Sequence, residues 1–433
     1  MSGLLLIRGG RVIDPRNGVD GRREVLIRDG KVAEISERPI QATGAVVIDA
    51  AGSWVLPGFI DLHVHLREPG QEVKETILTG SRAAVAGGFT SIVAMPNTTP
   101  PIDSGPLARF VASRGREVNL CRVYPSGAIT RGQQGQELAD IGELVEAGCV
   151  CVTDDGRPVM NAGLMRRALQ WALPLRVPIM VHEEDLSLSQ GGAMNEGPFS
   201  AKLGIPPIPR SAEVTMVARD LVLAEETGGR VHFAHLSCEA SVRLVRDAKR
   251  RGLRVTAEAA PHHFTLTEEA VDGWNTHAKM SPPLRSRRDV EAVREGLADG
   301  TIDAIATDHA PHGVGDKLVE FELAANGIVG LETALPLTLE LIGQGVLDAS
   351  RAAYLLSAGP AKAFDLPGGQ LGVGAPADVT VVDPHAEWTV DATEFFSKGR
   401  NTPFHGRKVK GQVAMTLVGG RVVFERGNVK EEG

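Results

Sequence analysis

The polar and apolar positions of this chain change rhythm twice. Up to residue 57 they alternate in short stretches. Residues 4–8, 11–13, 25–28 and 31–35 are β-rich, and Asp29-Gly30 supplies a hairpin turn. The last 60-odd residues read the same way, with strands predicted over 378–382, 388–390, 413–418 and 421–425 and a turn at Gly419-Gly420. Between these ends, β-rich runs alternate with stretches of helical period. Eight such runs cover 58–65, 89–94, 119–124, 149–153, 178–182, 230–235, 254–258 and 302–307. Helices are predicted over 73–86, 164–172, 211–227, 240–251 and 289–297.

Eight β/α repeats are what a closed barrel requires. The predicted fold class is therefore α/β: a (β/α)₈ TIM-like barrel over 58–365. A small β-sandwich domain is formed by both termini, 1–57 and 366–433. A doubly wound open sheet is the alternative, but no Gly-rich nucleotide turn follows the first strand.

In a parallel barrel the chemistry sits where the strands end. The first run closes on His63-Val-His65-Leu-Arg67, and the second is followed by Met95-Pro-Asn97. The fourth ends on Asp154-Asp155-Gly156, the fifth on His182, the sixth on His235 and the eighth on Asp308-His309-Ala-Pro-His312. His63 and His65 are two apart on a strand, so they share the inward face, with Leu62 and Val64 predicted to face the helices. Imidazole nitrogens and carboxylate oxygens are zinc ligands. Four histidines and two aspartates suit two ions joined by an anionic bridge. No lysine lies between Lys74 and Lys202, so the fourth strand cannot supply a lysine carbamate; Asp154 and Asp155 are its candidates for the bridge.

Composition narrows the picture further. The 433 residues are 42% hydrophobic and 23% charged, with a net charge of −8 spread along the chain, which disfavours nucleic acid as the main partner. The apolar run 4–7 is too short for a signal peptide, and no run approaches a membrane span, so the expected compartment is the cytoplasm. Cys121, Cys149, Cys151 and Cys238 form no metal-binding pairs and read as buried thiols, with Cys149 and Cys151 on one strand face.

These motifs resemble the bacterial dihydroorotases of the amidohydrolase superfamily. The carrying segments are Gly58-Phe-Ile-Asp-Leu-His-Val-His-Leu-Arg-Glu-Pro-Gly70, Met95-Pro-Asn-Thr-Thr-Pro100, Asp154-Asp-Gly156, Lys279-Met-Ser-Pro-Pro-Leu-Arg285, Asp308-His-Ala-Pro-His312 and Gly327-Ile-Val-Gly-Leu-Glu-Thr333. Val55-Leu-Pro57 and Gly372-Val-Gly-Ala-Pro-Ala-Asp378 extend the likeness to both ends.

The resemblance implies reversible hydrolysis of dihydroorotate to N-carbamoyl-L-aspartate in pyrimidine biosynthesis, by a zinc-activated hydroxide. It assigns His63, His65 and Asp308 to one zinc and His182 and His235 to a second. Asp155 is the implied bridge, because the family's bridging aspartate directly precedes the glycine. Asp308 is the implied general base. Arg67, two residues past His65, is placed to grip the substrate carboxylate. The resemblance adds Asn97 and His312 to that grip, counts His65 among the substrate contacts, and places ring contacts at Ser281 and at the backbone of Asn326 and Gly327.

Ser281 departs from the family, where many members carry Asn. Residues 313–325 also depart and are expected to form a mobile lid. His232 is expected to face away from His235, and His262 and His263 to pack or support. A homodimer and association with aspartate transcarbamoylase are compatible with the resemblance. The competing readings are an allantoinase or dihydropyrimidinase and an inactive scaffold homologue. The first is disfavoured by Arg67 and the missing lysine, the second by the complete ligand set.

Overall fold

The computed structural model describes residues 3–431. The fold is mixed α/β. One parallel sheet orders the strands Arg122–Pro125, Phe89–Ala94 and Phe59–Val64. A second orders Ile179–Val181, Val231–Phe233, Val255–Ala259 and Ala304–Ile305, also parallel. Single parallel bridges link the two: Gly127 to Val152, Val152 to Ile179, and His309 back to Val64. Helices such as Ile77–Ala86, Ala162–Leu175, Ser211–Thr227, Glu239–Arg250 and Arg287–Asp299 fill the connections.

The first helix begins later than its hydrophobic period suggests. Thr76 accepts from Thr79 N and closes a capping box, so residues 73–75 stay outside the helix. The predicted fourth strand is the least regular, with Val152 alone making bridges. Cys149 and Cys151 therefore do not share a face: they pack in different clusters.

The terminal pieces meet in one sheet. Trp54–Pro57 pairs antiparallel with Val379–Thr389 and parallel with Arg11–Asp14. A four-stranded sheet containing Leu4–Arg8 lies against it, and Ile7, Val25 and Ile27 from one sheet share a buried cluster with Val55, Val379 and Leu417 from the other.

Inside the ring, Ile60, Leu62, Val93, Met180 and Ala304 from the strands and Ala234 just past one of them form a common cluster, joined by Phe364 from the end of the helix Gly359–Ala363. The other face of the strands packs Val64, Ile92, Ile179, Phe233 and Ile305 against the helices. Leu62 thus faces inward, contrary to the simple alternation. The cause is a bulge: Asp61 pairs with Ile92 but Val64 pairs with Ala94, so one extra residue is inserted. Leu62 fills the inner layer, and His63 and His65 above it still turn inward.

All four cysteines are free and buried. Burial pushes the Cys121 and Cys149 thiols up to about 12. We predict no alkylation by iodoacetamide in the native protein at pH 7 and full modification after denaturation; rapid native labelling would contradict this packing.

Candidate functional site

The expected metal ligands converge. His63 Nδ1 donates to Glu258 Oε1 at 2.9 Å, which turns Nε2 toward the other expected ligands. That nitrogen is buried without a hydrogen-bond partner and lies 3.4 Å from both Asp155 Oδ1 and Asp308 Oδ1. His65 donates from Nδ1 to Asn97 Oδ1 at 2.9 Å, and its Nε2 lies 3.0 Å from Asp308 Oδ1 and 3.6 Å from Asp155 Oδ2. On the other side, His182 donates from Nε2 to Glu184 at 3.2 Å, turning Nδ1 toward His235 Nε2 at 3.0 Å and Asp155 Oδ1 at 3.6 Å. His235 Nε2 is 3.8 Å from Asp155 Oδ1.

Among the described residues, two groups of donor atoms are compact enough to hold an ion: His63 with His65 and Asp308, and His63 with Asp155 and His235, with His182 in neither. Asp155 lies within 4 Å of all four histidines. Asp154 is turned away. It accepts from the backbone of Ile129 at 2.8 Å and Thr130 at 3.1 Å and from the Thr130 hydroxyl, and burial raises it to about 6. A ring nitrogen buried without a hydrogen-bond partner, imidazoles oriented by hydrogen bonds at their far nitrogens, and two carboxylates form a donor set that fits zinc.

Local backbone helps to aim these groups. Arg67, His235 and Asp308 adopt φ of 59°, 30° and 47°, a region non-glycine residues seldom occupy. At His235 this breaks the strand alternation. His232 and His235 consequently both reach the ring interior, where opposite faces are expected. His232 donates from Nε2 to Glu258 Oε2 at 3.0 Å. Glu258 thereby braces His63 through a histidine on each carboxylate oxygen, and although burial opposes it, these bonds hold its carboxyl at about 2. Glu258→Gln is expected to weaken metal binding by about 10- to 100-fold; competition with a chromogenic chelator reads this, and wild-type affinity would contradict the bracing.

A cavity of about 220 Å³ opens over the cluster, lined by His65, Arg67, Asn97, Ser281, His312 and Asn326 among others. Arg67 is buried, and burial lowers it to about 10, still charged at neutral pH. Its Nε donates to the Pro311 carbonyl at 3.3 Å, and its Nη2 lies 3.4 Å from His312 Nε2. Among the described residues no carboxylate forms an ion pair with it. His312 donates from Nε2 to the Asn326 carbonyl at 2.8 Å; burial, with Arg67 next, pushes it down to about 3, so it is neutral.

Asn97 does more than line the cavity: it bridges His65 to Asp155, donating to Asp155 Oδ2 at 3.2 Å. Ser281 Oγ donates to Glu184 at 3.4 Å, linking position 281 to the partner of His182. Gly327 N already donates to the Lys279 carbonyl at 3.0 Å. A Cβ at Gly327 would meet Ala310 O at 2.5 Å and the His312 ring at 2.7 Å, so that close approach needs glycine. Within segment 313–325, the buried Lys317 amino group donates to the carbonyls of Thr276 at 3.0 Å, Lys279 at 3.2 Å and Ala325 at 2.6 Å, while Val314, Leu318 and Leu323 are exposed. His263 donates to Pro282 O at 2.9 Å, a supporting role.

Sequence reasoning missed Glu184, Glu258, Lys317 and Asn401. Glu258 did carry a signal: it closes the seventh predicted strand, as the ligands close theirs.

A family model described as Dihydro-orotase-like matches residues 52–241, and one described as Amidohydrolase family matches 211–424. A dihydroorotase from Anaeromyxobacter sp. (strain K) is 57% identical, with 99% of each chain covered. One from Pelobacter propionicus is 55% identical over 98% of this chain and 100% of its own. Among solved structures, an L-hydantoinase (dihydropyrimidinase) from Arthrobacter aurescens superposes with a TM-score of 0.90 at 27% identity, covering 99% of this chain and 97% of its own. A D-hydantoinase (dihydropyrimidinase) from Thermus sp. gives 0.84 at 27% identity, with 99% and 97% covered. The fold is thus shared with hydantoinases, while identity above half over nearly the whole length is reached with dihydroorotases: the chain belongs to the dihydroorotase family of amidohydrolases.

Proposed function

We propose that this chain interconverts dihydroorotate and N-carbamoyl-L-aspartate, with two zinc ions held by His63, His65, Asp155, His182, His235 and Asp308. The observation that carries the substrate assignment is Arg67, a buried cation at the wall of the cavity without a carboxylate partner among the described residues. A ring bearing its own carboxylate supplies the missing anion, and a guanidinium accepts it in bidentate fashion. His312 and Asn97 flank that position, and Ser281 with the Asn326–Gly327 backbone borders the ring.

When bound, the two ions supply an acidified water and polarise the ring carbonyl under attack. The residues of the chain do the rest. Asp308, with Oδ1 facing His63 and His65, takes the proton of the attacking water. It returns that proton to the ring nitrogen as the carbon–nitrogen bond breaks. The water oxygen becomes part of the new carboxylate, the second water proton is released to solvent, and ring closure takes up that proton and runs the same steps backward. His63 and His65 are kept in register by Glu258 and Asn97.

The ring of strands is read as a closed (β/α)₈ barrel over 58–365, beside a composite β-sandwich from 1–57 and 366–433. The sheet shared by Trp54–Pro57 and Val379–Thr389 supports this division; residues 1, 2, 432 and 433 lie outside the described residues. No helix among the described residues is long and apolar enough to cross a membrane. A cytoplasmic location rests on the short apolar run at residues 4–7 and the lack of a spanning run, while a homodimer and association with aspartate transcarbamoylase rest on the family resemblance. A sedimentation mass of one chain would remove the dimer.

The substrate assignment is tested by comparing kcat/KM for dihydroorotate, dihydrouracil and allantoin on one metal-loaded preparation. Preference for dihydroorotate is expected; preference for either uncharged ring would overturn the role of Arg67.

A further inference from the structure

Beside the ring, one residue of the C-terminal part reaches the substrate side of the cavity. Asn401 lies between the short turn Ala392–Glu394 and the strand Lys408–Val418. It is buried. Its Nδ2 donates to the carbonyls of Ala310 at 2.9 Å and Gly327 at 3.0 Å, and its Oδ1 accepts from His312 N at 2.9 Å. Both amide protons and the carbonyl are thus used, and all three partners are backbone groups of the two loops that border the cavity.

The segment is seated independently of that side chain. The Asn401 carbonyl accepts from Val329 N at 3.0 Å, and Glu332 accepts from Phe396 N at 3.0 Å and Ser397 N at 3.2 Å. Gly399 approaches so closely that a Cβ there would lie 2.7 Å from Pro311 Cβ and from Val329 Cγ1. Two separate loops, 308–312 and 326–330, already paired by Ala310 N donating to Ile328 O at 3.0 Å and by His312 donating to Asn326 O at 2.8 Å, are joined a further time by this one carboxamide.

We infer that Asn401 is a positioning residue for substrate binding: it fixes His312 and Gly327 relative to each other, so that the C-terminal segment sets the geometry of the carboxylate side of the cavity. The inference rests on the substrate-binding reading of His312 and Gly327 proposed above. Without the carboxamide, two buried carbonyls lose their donor and one buried N–H loses its acceptor. In Asn401→Asp the shape is kept but a carboxylate faces both carbonyls. The metal ligands touch none of these atoms.

The test uses the zinc-loaded full chain as Asn401→Ala, Asn401→Asp, His312→Ala and the Asn401→Ala/His312→Ala double variant. For both Asn401 variants, KM for dihydroorotate is expected to rise by about 10- to 100-fold, with kcat within a few-fold of wild type and zinc content unchanged. Because Asn401 acts through His312, the double variant's KM should fall at least about fivefold short of the product of the two single effects. Wild-type KM in both Asn401 variants, loss of zinc with unchanged KM, or multiplicative effects would each overturn the inference. Should Asn401→Asp not fold, Asn401→Ala carries the same comparison. A wild-type KM in His312→Ala alone would instead remove the substrate-binding reading, and the inference with it.

Discussion

Replacing Asp308 with Asn is expected to lower kcat by about 10³-fold while leaving KM for dihydroorotate within a few-fold of wild type. The amide keeps an oxygen where Oδ1 now faces His63 at 3.4 Å and His65 at 3.0 Å, so the histidines lose little of their packing. It cannot take up a proton at that position. Burial alone would raise the Asp308 carboxyl, but His63 and then His65 lower it, so it is ionised and free to accept a proton. Its positive φ points the side chain into the cluster from a strand end, and that conformation does not depend on charge. Zinc content must be measured on the same sample. Near-normal turnover with metal bound would show that the proton passes elsewhere.

The second large effect falls on binding. Arg67→Met should raise KM for dihydroorotate by about 100-fold, the loss of a charge-assisted pair of hydrogen bonds from a desolvated site. Arg67→Lys should recover only part of this, since an ammonium keeps the charge without the fork. Structurally the site should survive, because Arg67 makes one hydrogen bond of its own to the Pro311 carbonyl and no described ion pair. Discrimination is the sharper readout. The methionine variant should lose its preference for dihydroorotate over dihydrouracil, and steady-state kinetics on both substrates measure this. An unchanged ratio would mean that the ring, not the carboxylate, is recognised.

The sequence made the repeat pattern and the strand-end chemistry legible because both are local. Hydrophobic period marks each run, and the ligands follow directly. The same locality explains what escaped. The bulge between Asp61 and Val64 has no compositional signature, and it decides that Leu62 faces inward. The turn of His235 depends on a single φ, and without it His232 looks unrelated. Glu258 finds His63 across 195 residues of chain, and Asn401 finds His312 across 89. Such pairings exist only once the ring has formed. The glycines and charges of 313–325 suggest a lid but say nothing of Lys317, whose three carbonyl partners come from separate parts of the chain.

Within the site, the residues alone leave Asp154 and Asp155 open, and the resemblance favours Asp155. The geometry adds a physical reason: Asp154 has its oxygens committed to Ile129 and Thr130, which leaves Asp155 to face the histidines. Ser281 acquires a context as well. Its hydroxyl leans on Glu184, so a position read only as a ring contact is also tied to the orientation of His182.

The most direct test of a two-zinc dihydroorotase is to strip the protein with a chelator and follow dihydroorotate turnover as zinc is returned, quantifying bound metal in each sample. The account predicts that activity is lost on stripping and recovers to a plateau at two zinc ions per chain. Full turnover in the stripped protein, or a plateau at one ion, would contradict it.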